Sequence, residues 1–321
     1  MSATMRLSVI VVNWNVKDLL KACLESLYRE TTLPGEEFEI FVVDNDSSDG
    51  SVEMVKECFP NVHLVANQEN VGFGRANNQV LDRCKGEYIL LFNPDAMLID
   101  DAIDHLLVHA DAHQDVAIWG ARLLNVDHSL QRWTGGAFPD IKNIAGHHLF
   151  ITRLLSYFCR TQSLYLETDV NVDVDVDWVS GACMLLRKAA LENKLFNDDF
   201  FMYGEDMELC HRVKNNGWRV VYTPVASVVH VQGASMKSQE GEILLSSLKG
   251  LRSFYMLLHG KKRVWLVDFI TILGFGIRWV LYSVLGFLTR KPLFAEKAVS
   301  SLSYIRITQK IIRQDRQLDN P

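Results

Sequence analysis

The chain has no Cys-x-x-Cys pair, no Ser/Gly/Pro tract and only seven prolines in 321 residues. The missing cysteine pairs remove the usual signal for a zinc ribbon or a dithiol redox site, and the missing tracts exclude collagen-like, mucin-like and low-complexity architectures. A basic cluster is lacking too. Lysine and arginine number 33 against 39 acidic side chains, a formal net charge of −6, whereas nucleic-acid-binding domains carry the opposite sign. No nucleic-acid partner is expected. No Gly-x-Gly-x-x-Gly follows the first apolar run and no Gly-Lys-Ser/Thr occurs, which disfavours dinucleotide-dependent oxidoreductases and P-loop NTPases. The N-terminal apolar run stops after Val12 at the polar Asn13 and Asn15, too short for a signal-peptide core. A cytoplasmic body is therefore expected, with the six scattered cysteines reduced.

With 48% hydrophobic and 22% charged residues, the chain can bury one or two sizeable cores. Leu7–Val12 reads as a strand buried on both faces. Leu19, Leu20, Cys23, Leu24 and Leu27 recur at helical spacing until Pro34-Gly35. Phe38–Val43 is a second strand, Val52, Val55 and Phe59 mark a short helix, Val62–Ala66 is a third strand, Gly74–Cys84 a third helix and Tyr88–Phe92 a fourth strand. That alternation predicts an α/β fold with a parallel, helix-covered sheet. In such sheets ligands bind beyond the carboxyl ends of the strands. Here those ends carry Asn13 and Asn15, Asp44 and Asp46, Asn67 and Asn70, and Asn93 and Asp95. Any one is ordinary turn chemistry; four converging on one rim predict a ligand site.

Beyond residue 120 the pattern shifts to an α+β extension. Asp173, Asp175 and Asp177 alternate with Val172, Val174, Val176 and Trp178 as a half-exposed strand, with Ala182–Leu186 as its apolar neighbour. Glu205–Asn215 reads as a helix, and Arg219–Tyr222 and Ser227–Val231 as two further short strands. Asn125–Leu166 shows no firm period.

The loop Asp44–Gly50 has three carboxylates but fails as an EF-hand, because placing Gly50 at position six puts Lys56 at position twelve. Asp44 suits a base or ribose hydrogen bond, or a plain capping turn. Gly72 and Gly74 form a turn before a helix that can turn N–H groups toward a phosphate. Asp95, after the strand ending at Phe92, can hold a hard divalent cation, Mg²⁺ or Mn²⁺ being the expected cofactor, and His230 reads either as an imidazole ligand to it or as a structural histidine at a strand end. Glu205 and Asp206 follow the aromatic turn Phe200–Gly204. They read either as charge at the positive end of a helix or as a general base in a partly apolar setting.

Taken together, the segments SVIVVNWN, VVDNDSSDGS, NVGFGRANN, LLFNPD, WVSGACMLLR and FFMYGEDMELCHRVKNNGW, followed by His230 and Ser235, resemble the family 2 inverting glycosyltransferases of the GT-A fold. The resemblance is strongest to the bacterial branch containing rhamnosyltransferases of cell-wall and O-antigen assembly. It implies a nucleotide-sugar-binding half over residues 1–120 and an acceptor half over 121–240; a C-terminal helical region over 241–321 is expected from the apolar pattern of the tail. It implies that Val12, Asn13, Asn15, Asp44, Asn70, Gly72, Asn77, Asn78, Asn93 and Asp95 border a dTDP- or UDP-sugar. By the same resemblance Trp178, Gly181 and Glu205 would meet the acceptor, Asp95 and His230 would hold the metal, and Asp206 would be the catalytic base. The first acidic position of the family's DxD element is Asn93 here, so weaker metal affinity is expected. The other reading is a catalytically silent carbohydrate-binding protein of the same fold.

Val264–Leu288 is the longest apolar stretch, flanked by Lys261-Lys262-Arg263 and Arg290-Lys291. Asp268, Thr271, Arg278 and Tyr282 fall on one helical stripe within it. The expectation is a helix, or a pair broken near Gly274 and Gly276, lying on the cytoplasmic face of the membrane within reach of a lipid-linked acceptor. A transmembrane span, or a core or homodimer-interface helix, are the alternatives.

Overall fold

The apolar runs Leu7–Asn13 and Phe38–Asp44 form β1 and β2, each buried over its whole length, in a computed structural model that describes residues 5–132, 134–149, 164–166, 170–192, 194–231 and 240–319. The chain divides into two compact units, Met1–Gly136 with Tyr165–Lys237, and Ala137–Leu164 with Ser238–Pro321.

In the first unit β1 pairs in parallel with β2 and with β4 (Tyr88–Phe92), and β2 with β3 (His63–Ala66). The strand order continues through β10 (Cys183–Arg187), β6 (Val116–Leu124), β11 (Arg219–His230) and β5 (Ala96–Leu98). β10 runs antiparallel to both β4 and β6, so the sheet is mixed but mainly parallel. α1 (Lys17–Arg29) buries Leu20, Cys23, Leu24 and Leu27, each leucine stabilising by about 1.5–3 kcal/mol. α2 (Ser51–Cys58) and α4 (Ala102–Ala112) add to the same core.

Several sequence expectations are corrected. The third helix, α3, covers only Phe73–Asn78, and a 3₁₀ turn at Leu81–Arg83 follows. Asn77 weakens the helix by a side-chain bond that competes with its backbone, donating to Phe73 O, while Asn78 turns away to Phe196 O. The aspartate-rich stretch makes two short strands, β8 (Val174–Asp175) on β11 and β9 (Trp178–Val179) on β7 (Gly135–Gly136). Its polar face is an ion-pair edge, Asp175 forked by Arg219 at 2.8 and 2.9 Å and Asp177 met by Lys214 at 2.6 Å. The segment expected beside it is β10, inserted between β4 and β6. The two late strands are one, β11, which passes Pro224 by a register shift between Thr223 and Ser227; a bulge absorbs the donor that proline lacks.

The second unit holds α5 (Ile141–His148), α7 (Glu240–His259), α8 (Val264–Thr289) and α9 (Pro292–Asp319). α6 (Glu205–Asn215) belongs to the first. α8 is unbroken. Gly274 interrupts no hydrogen bonding; it admits His148, whose Cβ would lie 2.6 Å from a side chain there. α9 returns antiparallel along α8, with Phe275 stacked on Tyr304 at 3.9 Å and Lys297 over the Tyr282 ring at 5.7 Å. The polar stripe of α8 faces into this unit. Asp268 is buried and takes Arg252 at 2.7 and 3.1 Å, Arg252 also reaches Asp315 at 2.9 Å, and Arg278 donates to His147 O at 2.8 Å. The outward face is apolar instead, with Trp265, Phe269, Leu273, Ile277, Val280, Val284 and Phe287 exposed.

Candidate active site

β1 and β2 end in register, Asn13 opposite Asp44, which brings two buried polar side chains to the sheet rim. Asn13 Nδ2 donates to Asp44 Oδ2 at 2.7 Å and to Ser47 Oγ at 3.1 Å, while Asp44 Oδ1 accepts Ser47 N–H at 2.8 Å. Asn15, with φ 53°, accepts Ser48 N–H at 2.8 Å. Val12 lines the same end of β1, buried. Asn45, one residue past β2, donates to Asn70 Oδ1 and Gly72 O, each at 3.3 Å. Gly72 has φ 86°, and a Cβ on it would sit 2.7 Å from Phe201 O. The N–H groups of this turn are spent within the protein, Gly72 N–H on Asn70 Oδ1 at 3.0 Å and Phe73 N–H on Phe201 O at 3.2 Å, rather than held out toward a phosphate.

The second cluster sits where β4, β5 and β11 meet. His230 pairs with Ala96 across β11 and β5, and Val231 N–H donates to Asp95 O at 2.9 Å, so the two side chains emerge side by side. Asp95 Oδ1 lies 3.1 Å from His230 Nε2, and the Asn93 amide nitrogen 3.2 Å from the same atom. His230 Nδ1 is 2.7 Å from Gln131 Oε1. A proton on Nδ1 serves that bond and leaves Nε2 as an acceptor facing a carboxylate, an arrangement that a shared cation or proton stabilises. One carboxylate, one imidazole and a neighbouring amide, with a second-sphere glutamine orienting the ring, fit Mg²⁺ or Mn²⁺.

The third group opens α6. Tyr203 has φ 66° and Gly204 φ 94°, a left-handed pair costly at the tyrosine and typical of strained functional turns. Glu205 is buried with Oε2 lacking a hydrogen-bond partner among the described residues. Asp206 is half-buried and accepts Met207 N–H at 2.8 Å and Gly181 N–H. Burial raises the Asp206 carboxyl above its ordinary range, against the opposing backbone donors; burial raises Glu205 further, with the Asp206 charge adding. Ala182, next to Gly181, accepts Asn93 N–H at 3.0 Å, which ties the Asp206 contact to the start of the Asn93–Asp95 turn. Tyr203 is raised by burial and then by the charges of Glu205, Asp95 and Asp206, so its phenol feels both carboxylate groups. The Glu205–Asp206 pair and Asp95 thus lie near one phenol.

Residues 8–193 match the family described as Glycosyl transferase family 2. The chain belongs to that family. This glycosyltransferase is 26% identical over 276 residues to the N-acetylglucosaminyl-diphospho-decaprenol L-rhamnosyltransferase of Mycobacterium tuberculosis, covering 81% of this chain and 86% of the relative. It is 24% identical over 230 residues to the rhamnosyltransferase WbbL of Escherichia coli, covering 69% and 82%. Its fold matches the mannosyltransferase PcManGT of Pyrobaculum calidifontis, solved with GDP-Man and Mn²⁺, at a TM-score of 0.58 and 17% identity over 95% of this chain and 86% of that one. The fold is GT-A.

Within the transferase, Val12, Asn13, Asn15, Asp44, Asn70 and Gly72 share the β1–β2 side, and Asn93, Asp95 and His230 the β4–β11 side. Glu205 and Asp206 open α6, and Gly181, between β9 and β10, donates its N–H to Asp206. Asn77 turns back to Phe73 O at 2.9 Å, and Asn78 braces the 195–196 backbone through three bonds of 2.8–3.1 Å. Trp178 is buried with its ring edge-on to Tyr165. Ser235 lies outside the described residues. Sequence reasoning missed Gln131 and Asn45 as site residues and saw Tyr203 only as part of an aromatic cluster. Gln131 lies in the stretch without period, so no local signal marked it.

Glu205 offers a pH test. It keeps its proton to higher pH in the folded chain than in the unfolded one, so stability falls as pH rises from the ordinary glutamate range to its raised value. Glu205→Gln removes that loss. Melting curves should show little difference from the parent at pH 4 and a gain of about 1 kcal/mol or more at pH 8; equal offsets at both would refute a protonated Glu205.

Proposed function

We propose that this transferase moves a sugar, rhamnose-like or another hexose, from a dTDP- or UDP-sugar to a hydroxyl of a lipid-linked glycan, with inversion, in bacterial surface polysaccharide synthesis. The observation that carries the reading is the single rim shared by the Asp95–His230 pair, 3.1 Å apart, and Asp206, tied together through Gly181, Ala182 and Asn93. Asp206 takes the proton of the acceptor hydroxyl, whose oxygen bonds to the anomeric carbon as the bond to the diphosphate oxygen breaks and the diphosphate leaves with the electron pair. Burial suits Asp206 to this role by raising its proton affinity. Asp95 and His230, with Asn93 beside them, would hold Mg²⁺ or Mn²⁺, which when bound supplies neutralising charge for the leaving diphosphate. Asp44 and Asn13, which orient each other on the β1–β2 side, would face the nucleoside. The experiment is a panel of nucleotide sugars assayed for nucleoside diphosphate release with detergent-solubilised isoprenoid-diphosphate glycans. Release that depends on both donor and acceptor supports the reading; no turnover with any dTDP- or UDP-sugar overturns it.

The lipid-linked acceptor is supported by the substrate for which the M. tuberculosis relative is named and by α8. Lys261–Thr289 is long and apolar enough to cross a bilayer, with mean hydropathy 1.8. α9, packed along it, carries Lys297, Arg306, Lys310 and Arg313, and a spanning α8 would draw these into hydrocarbon at high cost. The hairpin therefore lies flat on the cytoplasmic face, its exposed apolar face in the acyl boundary and its basic ends, Lys261-Lys262-Arg263 and Arg290-Lys291, at the headgroups. The full chain should cosediment with anionic vesicles, with a blue shift of tryptophan emission from Trp265 and Trp279. Phe269→Glu or Phe287→Glu should each weaken binding about tenfold or more. Unchanged binding, or a dimer dissociated by these substitutions, would remove the membrane from the proposal.

A further inference from the structure

We infer that His109, His113 and Asp173 form a second metal site, for a zinc-class transition-metal cation, at the end of the sheet opposite Asp95 and His230. His109 and His113 are four residues apart at the C-terminal end of α4 and so share one face, their ring centroids 4.3 Å apart. Asp173, immediately before β8, brings Oδ2 to 2.7 Å from His109 Nε2. One ligand atom from each of the three lies within 4.8 Å of the others. Tetrahedral ligands around zinc stand about 3.3 Å apart, so the wider pairs need close by no more than about 1.5 Å while the His109–Asp173 pair opens by about 0.6 Å to admit the ion.

The outer contacts orient these groups as ligands. His113 Nδ1 lies 2.9 Å from His109 O, where its proton donates to the carbonyl and leaves Nε2 with its lone pair. Asp173 Oδ1 accepts the Thr223 hydroxyl at 2.6 Å, which leaves Oδ2 for the cation. Such second contacts fix tautomer and aim in metal sites. The negative end of the α4 dipole adds attraction for positive charge. Two imidazoles and one carboxylate select zinc-like ions over Mg²⁺ or Ca²⁺, which take oxygen ligands. The His109 and Asp173 side chains are 18% and 31% exposed, so the ion enters from solvent and water completes its shell.

The site is separate from the rim. Arg187 donates to Ala110 O at 2.8 Å and His113 O at 3.2 Å, and its Nη1 to the Tyr88 hydroxyl at 3.0 Å. Arg187 and Tyr88 face each other at the start of β4; Asp95 lies beyond its far end, past roughly 13 Å of strand. A cation here joins the end of α4 to the segment before β8 and, through Thr223, to β11. It braces the sheet edge and takes no part in transfer.

The test titrates chelator-stripped full-length protein with Zn²⁺ alone, in competition with a chromophoric chelator, alongside thermal melting. An Asp95→Asn/His230→Ala background should bind one Zn²⁺ and melt higher with it. In that background His109→Ala/His113→Ala should abolish the site, and Thr223→Val should weaken it about tenfold or more. Without Zn²⁺ the Thr223→Val chain should melt within a few degrees of its parent, which separates lost binding from lost fold. The inference is overturned if the background binds no Zn²⁺, or if the double histidine variant binds it as tightly as its parent. Failure here leaves the transfer reaction untouched, since donor turnover with Mg²⁺ is read on the chain with Asp95 and His230 intact.

Discussion

Asp206→Asn should lower acceptor-dependent release of nucleoside diphosphate by about 10²–10⁴-fold, the usual contribution of a positioned general base. The substitution keeps the volume and leaves an amide oxygen able to accept Met207 N–H and Gly181 N–H, the donors that hold the aspartate. What it removes is the lone pair that takes the acceptor proton. Donor affinity, measured by calorimetry with the nucleoside diphosphate, should change less than about threefold, because the β1–β2 rim is untouched. In the parent the acid limb of kcat/KM should lie above the ordinary aspartate range, since burial raises this carboxyl. Activity is lost as falling pH protonates it. A variant that keeps near-normal turnover would take Asp206 out of the role.

The second large effect is expected at the Asp95–His230 pair. Asp95→Asn or His230→Ala should raise the Mg²⁺ or Mn²⁺ concentration needed for half-maximal rate and lower the saturated rate by about 10²-fold or more, because charge neutralisation of a leaving diphosphate is worth several kcal/mol. Gln131→Leu is the finer probe. It touches neither donor nor acceptor chemistry, yet frees the His230 ring from its 2.7 Å bond, and should cost about 10–100-fold in metal affinity. At saturating metal its turnover should recover toward that of the parent, whereas Asp95→Asn should not. Equal metal dependence in all of these variants and the parent would remove Asp95 and His230 as ligands.

Legibility followed periodicity. β1, β2 and β4 have no choice of face, being apolar but for Ser8 and Glu39 before their polar ends and buried over their whole length, and with α1 and α2 between them they spell a parallel sheet whose polar strand ends share a rim. Elements whose form depends on partners distant in the chain were misread. β10 looked like the neighbour of the aspartate stretch, but both of its hydrogen-bonding edges are taken by β4 and β6, which lie far from it in sequence. Asp173, Asp175 and Asp177 alternate as a solvent face would, yet Thr223, Arg219 and Lys214 meet them. The α8 stripe was visible at 100° per residue, but periodicity cannot tell which side of a helix is the inside. Arg252 and Asp315 turn Asp268 inward and leave the phenylalanines out.

By itself the chain's residue order determined the family, the α/β class and the edge of the sheet at which to look, because those rest on local alternation and on short motifs read without knowledge of folding partners. Tertiary structure alone decided that Gln131 orients His230, that Asn78 braces a loop and that Glu205 is sealed beside Asp206. Each of these depends on burial and on contacts between segments far apart in sequence, which desolvate one carboxylate, consume the hydrogen bonds of one amide and aim one imidazole.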